Sequence, residues 1–188
     1  MATKITIANN ALVMLADDPI SDFNEGTVRS ALVRDQYENI RDNCLRMLPW
    51  NCAVKRLNLS PDVATPVFGY AFQYTLPSDW LRTLSITDEQ DVYEFRIEGR
   101  KLLTDLESLQ MRYIYRNDDP ATYDAGLVNY MTFKLAEALA YPITKSTTQA
   151  QLMESKAREA FMIAKGVDAQ EEVQPDWFDN TLISRRGI

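Results

Sequence analysis

The chain is expected to fold as an α+β protein: a four-helix bundle with an inserted small antiparallel β-sheet lobe and an extended C-terminal arm. Three observations predict this. Apolar residues recur at helical spacing near both ends, the period drops to two in the middle, and the last stretch follows neither rule. A chain of 188 residues that is 46% hydrophobic and 25% charged can bury one ordinary core, or one core with a small lobe. The expected division is 1–51 for the first two helices, 52–118 for the lobe, 119–166 for the last two helices and 167–188 for the arm.

The first helix is expected over 5–16. Ile5, Ala8, Leu12 and Leu15 fall on one face, Thr3 or Thr6 supplies the N-cap, and Asp17-Asp18-Pro19 is the stop. The second starts at Gly26 or Thr27 and runs to Leu48, with Val33, Tyr37, Ile40, Cys44 and Leu48 as its stripe. Pro49 ends it, and Trp50 reads as a buried anchor where the chain leaves the helices for the sheet. Arg34, Asp35, Glu38, Arg41 and Asp42 occupy the opposite, solvated face, which is also available as a subunit contact.

In the middle, Phe68, Tyr70, Phe72, Tyr74 and Leu76 alternate with Gly69, Ala71, Gln73 and Thr75, which predicts a strand with one large aromatic face. Pro66 and Pro77 bracket it, and 62–66 reads as the loop that feeds it. Further strands are expected over 81–87, 92–98, 101–104 and 109–116, with Gly99-Arg100 as a tight turn.

Helix returns after Asp118-Asp119-Pro120. Leu127, Met131, Leu135 and Ala138 form one stripe ending near Pro142. Met153, Ala157, Ala160, Phe161 and Ala164 form another, opened by Ser146 or Thr147 and closed by Gly166. The final segment carries Asp168, Glu171, Glu172, Asp176 and Asp179, then Trp177-Phe178 and Arg185-Arg186. It reads either as a frayed terminus or as an arm that orders on a partner, with Trp177, Phe178, Arg185 and Arg186 as the binding residues.

Chemistry is bounded mostly by absence. The sequence contains no histidine, which excludes Ser-His-Asp and Cys-His catalysis and histidine metal ligands. Two cysteines cannot make a four-cysteine zinc site, and the phosphate-cradling glycine motifs are missing, so no cofactor or metal is expected. A net charge of −7 argues against coating a duplex, while allowing DNA to slide past without adhesion. No apolar run is long enough to span a membrane and Met1-Ala2-Thr3-Lys4 does not open a signal peptide, so folding in cytoplasm with Cys44 and Cys52 as thiols is expected.

The order of elements, with Pro49-Trp50-Asn51-Cys52-Ala53, Leu76-Pro77-Ser78-Asp79-Trp80-Leu81-Arg82 and Arg112-Tyr113-Ile114-Tyr115, resembles the phage tail tubular protein A family. The likeness runs from the first helix through the fourth. It implies a structural virion protein of the tail or neck, made in the bacterial host's cytoplasm: a head-to-tail adaptor of short-tailed phages. Such a protein forms a ring of about twelve copies between the portal protein and the tail nozzle protein, with DNA passing through the lumen. It implies no enzyme, and it directs the C-terminal arm toward the portal.

Two other classes are weighed beside it. A glycan or peptidoglycan hydrolase would need a carboxylate pair such as Glu94 and Glu98, or Asp79 with a neighbour. Glu94 and Glu98 would stand about 13 Å apart on a regular strand, as solvated side chains do. The third class is a helical interaction module outside any phage.

Overall fold

The computed structural model describes residues 1–87 and 93–171, with four helices and two three-stranded antiparallel sheets. Helix α1, Lys4–Met14, opens on a reciprocal cap: the Thr3 hydroxyl accepts from the Thr6 amide at 3.0 Å while the Thr6 hydroxyl accepts from the Thr3 amide at 2.8 Å. It buries Ile7, Ala8, Ala11 and Leu12. Ala16, at φ 56, turns the chain out of the helix just before the acidic pair that was expected to stop it.

The loop to the next helix is tied down by side chains rather than by length. Asn9 clamps Ile20, donating to its carbonyl at 2.9 Å and accepting from its amide at 2.8 Å. Glu25 accepts from the Ser21 amide and hydroxyl and from Thr27, and these bonds to its charged form hold its carboxyl down at about 2. A depressed folded value stabilises above the unfolded value near 4.5 and is lost as pH falls toward 2. Glu25→Gln is therefore expected to be less stable than wild type at neutral pH, with the gap closing between pH 4.5 and 2 in urea titrations. A gap that stays constant across that window would show that the carboxylate is not selectively held.

Helix α2, Val28–Met47, starts at Thr27, whose hydroxyl accepts from the Ser30 amide at 3.2 Å, and stops before Pro49 as expected. Its stripe of Val33, Tyr37, Ile40, Cys44 and Leu48 is buried throughout. The Trp50 indole, 1% exposed, donates to the Cys44 carbonyl at 2.9 Å, satisfying one acceptor that the helix end leaves open. Burial pushes the Cys44 thiol up to about 12, which makes it inert.

Helices α3, Ala125–Thr144, and α4, Thr147–Glu171, fold back on each other through a two-residue link in which Lys145 is left-handed at φ 56. Their close approach depends on small residues. A Cβ added at Gly126 would lie 3.0 Å from that of Ala164, and Ala157 and Ala160 share the buried α4 face. Helix α3 also packs against α1 and α2.

Two expected helix ends move. Pro142 does not end α3, because only the Ala138 carbonyl loses its donor there; the helix closes two residues later with the Lys145 amide on the Tyr141 carbonyl at 2.9 Å. Gly166 does not end α4, which continues to Glu171 because a glycine inside a well-packed helix costs only about 1 kcal/mol. The expected boundary of the arm at 167 therefore shifts into the helix.

The lobe is two small sheets rather than one. Strand β1, Val54–Leu59, which the sequence reading missed, pairs antiparallel with β6, Leu109–Tyr115, and β6 pairs on its other side with β3, Trp80–Ile86. The second sheet sets β5, Lys101–Thr104, between β2, Phe72–Thr75, and β4, Arg96–Glu98. The expected aromatic strand over 68–76 shrinks to four residues because its partner β5 offers only four, with Phe72 opposite Thr104 and Thr75 opposite Lys101. Gly69, at φ 90, takes the preceding chain out of register, and Phe68 is 87% exposed. The strand expected over 92–98 pairs only over Arg96–Glu98, although Tyr93, Phe95 and Ile97 still pack on the lobe core; residue 92 lies outside the described residues.

Strand β6 joins the two cores. Leu109, Met111 and Tyr113 on one face pack with Tyr74, Leu76 and Leu102 from the second sheet. Ile114, on the other face, enters the helical core with Leu81, Trp50 and Ala53. Alternation along β6 thus turns one face to the strands of the second sheet and brings Ile114, on the other, to the helices.

Candidate functional site

The most heavily built polar site lies where α2 meets the chain leaving β6. Arg41, expected on a solvated face, is buried: its side chain is 3% exposed. Its Nε and Nη2 donate to Asp42 Oδ1 at 2.9 and 2.8 Å, and Nη1 meets Asp118 Oδ1 at 2.5 Å. Asp42 also receives Arg116 at 2.8 Å through Oδ2. Burial opposes the Arg41 charge, but the bond to Asp42 and the fields of Asp42 and Asp118 outweigh it, so the guanidinium is held more firmly protonated than usual.

Around this core the polar groups interlock. Asn117 donates to the Cys52 carbonyl at 2.7 Å and to Thr122 at 2.8 Å, and the Tyr123 hydroxyl donates to the Asn117 carbonyl at 2.5 Å. Burial pushes the Tyr123 phenol up and the Tyr37 phenol up to about 12. The Tyr37 ring tilts against Phe23 at 5.3 Å, and its buried hydroxyl has no hydrogen-bond partner among the described residues. The Arg41 guanidinium is thus turned toward two carboxylates of its own chain, with three of its nitrogens engaged. The arrangement does mechanical work, tying the helices to the strands.

Sequence reasoning missed Arg41 because its spacing places it among α2's charged residues. What brings it inside is the 116–118 segment arriving with two charges of its own. Arg34, Asp35 and Glu38 remain exposed as expected, with Arg34 paired to Asp35 at 3.2 Å.

The candidate carboxylates lie in two different settings. Asp79 meets Lys55 Nζ at 2.8 Å and accepts from the Tyr113 hydroxyl at 3.2 Å, while Lys55 also sits 3.7 Å above the Tyr115 ring. Glu94 and Glu98 line a groove of about 630 Å3 on the lobe, where Arg96 and Lys101 lie among them. Lys101 itself is bound to Asp62 at 2.5 Å. Trp177, Phe178, Arg185 and Arg186 lie outside the described residues.

Apolar surface is exposed in separate places. The loop before β2 presents Val63, Val67 and Phe68, with Val63 and Val67 almost fully exposed. An apolar groove of about 540 Å3 runs between α1 and α3, lined by Val13, Met14, Tyr123 and Val128. A second groove of about 370 Å3 lies where α2, α3 and α4 meet. Phe68 was expected in the strand core, and only the pairing limit of β5 puts it in water. Among the described residues no helix is long and apolar enough to cross a membrane, and no cluster of three metal-ligating side chains occurs.

The chain matches no protein-family model and no curated protein sequence.

Proposed function

We propose that the protein is a head-to-tail adaptor of a short-tailed phage: a non-enzymatic virion component that forms a ring between portal protein and tail nozzle protein, with DNA passing through. In this reading the four helices act as one bundle, the β lobe projects from it, and the C-terminal arm reaches the portal through Trp177, Phe178, Arg185 and Arg186. The observation that carries it is the pair of unlike apolar surfaces, a projecting loop with Val63, Val67 and Phe68 on the lobe and a shallow groove beside Val13 and Val128 on the helices. A ring closes through a heterologous contact, so each subunit needs two different adhesive faces. Apolar residues left in water on two separate faces fit that requirement. The central motif's likeness to the tail tubular protein A family supplies the class, and the Arg41 joint supplies the stiffness a subunit needs to transmit load between layers.

The test is assembly on the portal protein of the same phage, viewed by negative-stain electron microscopy. Annular density on the portal's tail-facing end is expected with the full chain. Truncation after Glu171 removes the arm and keeps every described residue of α4. The truncated chain is expected to keep its circular dichroism spectrum and lose portal binding. No ring with the full chain would overturn the adaptor reading; unchanged binding by the truncated chain would remove the arm from it.

A further inference from the structure

We infer that the groove where α2, α3 and α4 meet holds the chain's own C-terminal segment, filled by Trp177 and Phe178. The groove, about 370 Å3, has an apolar floor of Tyr130, Ala157 and Phe161, whose two rings tilt against each other at 5.2 Å. Its lips are Met47 and Met162, 51% and 66% exposed, unbranched side chains suited to closing over an aromatic guest. Charged pairs rim it: Lys134 with Glu137 at 2.7 Å and Arg158 with Glu154 at 2.5 Å.

Chain length permits this occupant. Helix α4 carries the groove residues Ala157, Phe161 and Met162 and ends at Glu171. Trp177 follows six residues later, and six extended residues span up to about 20 Å. Returning along the helix from Glu171 to Met162 requires only about 14 Å, at 1.5 Å per residue, which lies within that reach. Composition agrees with distance. Trp177 and Phe178 are adjacent large rings, the kind of side chain an apolar floor accommodates.

The seating is intramolecular and does not rest on the adaptor reading. Under that reading it has a consequence: groove and portal compete for the same two side chains, so the arm is covered until a partner displaces it.

The test uses the full chain labelled with 5-fluorotryptophan, whose three fluorine resonances report Trp50, Trp80 and Trp177, the last assigned by its loss in Trp177→Ala. Trp177 is expected to be protected from a soluble gadolinium relaxation agent, with protection unchanged on dilution. Met162→Lys and Met47→Lys alter lip residues more than half exposed, and each is expected to raise Trp177 relaxation severalfold while the Trp50 resonance stays in place. A second measurement leaves the groove intact: the Met47 and Met162 methyl resonances are expected to shift in Phe178→Ala. The proposal is overturned if Trp177 is fully accessible in the wild-type chain. It is equally overturned if protection survives both lysine variants, if it vanishes on dilution, or if the methyl resonances ignore Phe178→Ala.

Discussion

Trp50→Ala is expected to destabilise the protein by about 3–5 kcal/mol, the range for truncating a fully buried aromatic side chain. The indole is 1% exposed and belongs to the helical core together with Ala53, Leu81 and Ile114, so its removal opens a void beneath the first sheet. It also orphans the Cys44 carbonyl at the end of α2. A domain of this size is stable by about 5–15 kcal/mol, so the loss is a large share of the total. Trp50→Phe separates the two effects: it keeps most of the packing and loses the donor, and should cost about 1–2 kcal/mol. Urea denaturation followed by far-ultraviolet circular dichroism measures both. A loss below 1 kcal/mol for Trp50→Ala would mean that the core collapses around the gap and that Trp50 is not the anchor of the helix-to-strand exit.

Arg41→Met should come next, at about 2–4 kcal/mol, because removing one partner of a buried ion pair strands the others. Methionine fills much of the arginine stem's volume, which leaves lost charge pairing as the main difference. The two acidic partners are not equivalent. Asp118 is 64% exposed and can return to water, so Asp118→Asn should cost under about 1 kcal/mol. Asp42 is 23% exposed and serves both Arg41 and Arg116, so Asp42→Asn should cost more. A double-mutant cycle between Arg41→Met and Asp42→Asn measures the coupling directly. Amide hydrogen exchange adds a readout that global stability does not give. Amides from Arg116 to Tyr123 should exchange faster in Arg41→Met, since that segment carries the link from strands to helices. Unchanged exchange there would show that the joint is held by packing alone.

The helices were legible because each carries its signal within a few turns. Thr3 and Thr27 cap where their hydroxyls can reach the next amides, and the stripe from Val33 to Leu48 points inward as its spacing requires. Trp50 was legible for the same reason: a large ring placed next to a helix-ending proline has few places to go. The strands were harder. Lys101–Thr104 matched the expected bounds, yet Val54–Leu59 passed unread, because only Val54 and Leu59 at its ends are even partly covered and the four residues between them face water. Phe68 misled for the opposite reason. Its alternation with Tyr70 and Phe72 was real, but a strand extends only as far as its neighbour can pair.

The candidate surfaces depended still more on context. Met162 and Ile163 lie off the α4 stripe and carry no motif, so nothing local marks them as one wall of a groove and its neighbour. Arg41 is the clearest case. On its own helix it sits among charged neighbours, and its burial is decided by Asp118 arriving from a segment 77 residues later, the difference of their positions.

The sequence by itself determined that helices flank the middle of the chain on both sides, which stripes they bury, that no histidine-based chemistry is possible and that the middle of the chain is strand. Those properties are set by contacts within a few residues, or by composition. Only the tertiary structure decided that the lobe is two sheets, that Phe68 stands in water, that α3 and α4 outrun Pro142 and Gly166, and that Arg41 is interior. Each of these turns on which distant segment arrives as a neighbour, and that is settled by the free energy of the whole packed core rather than by any local pattern.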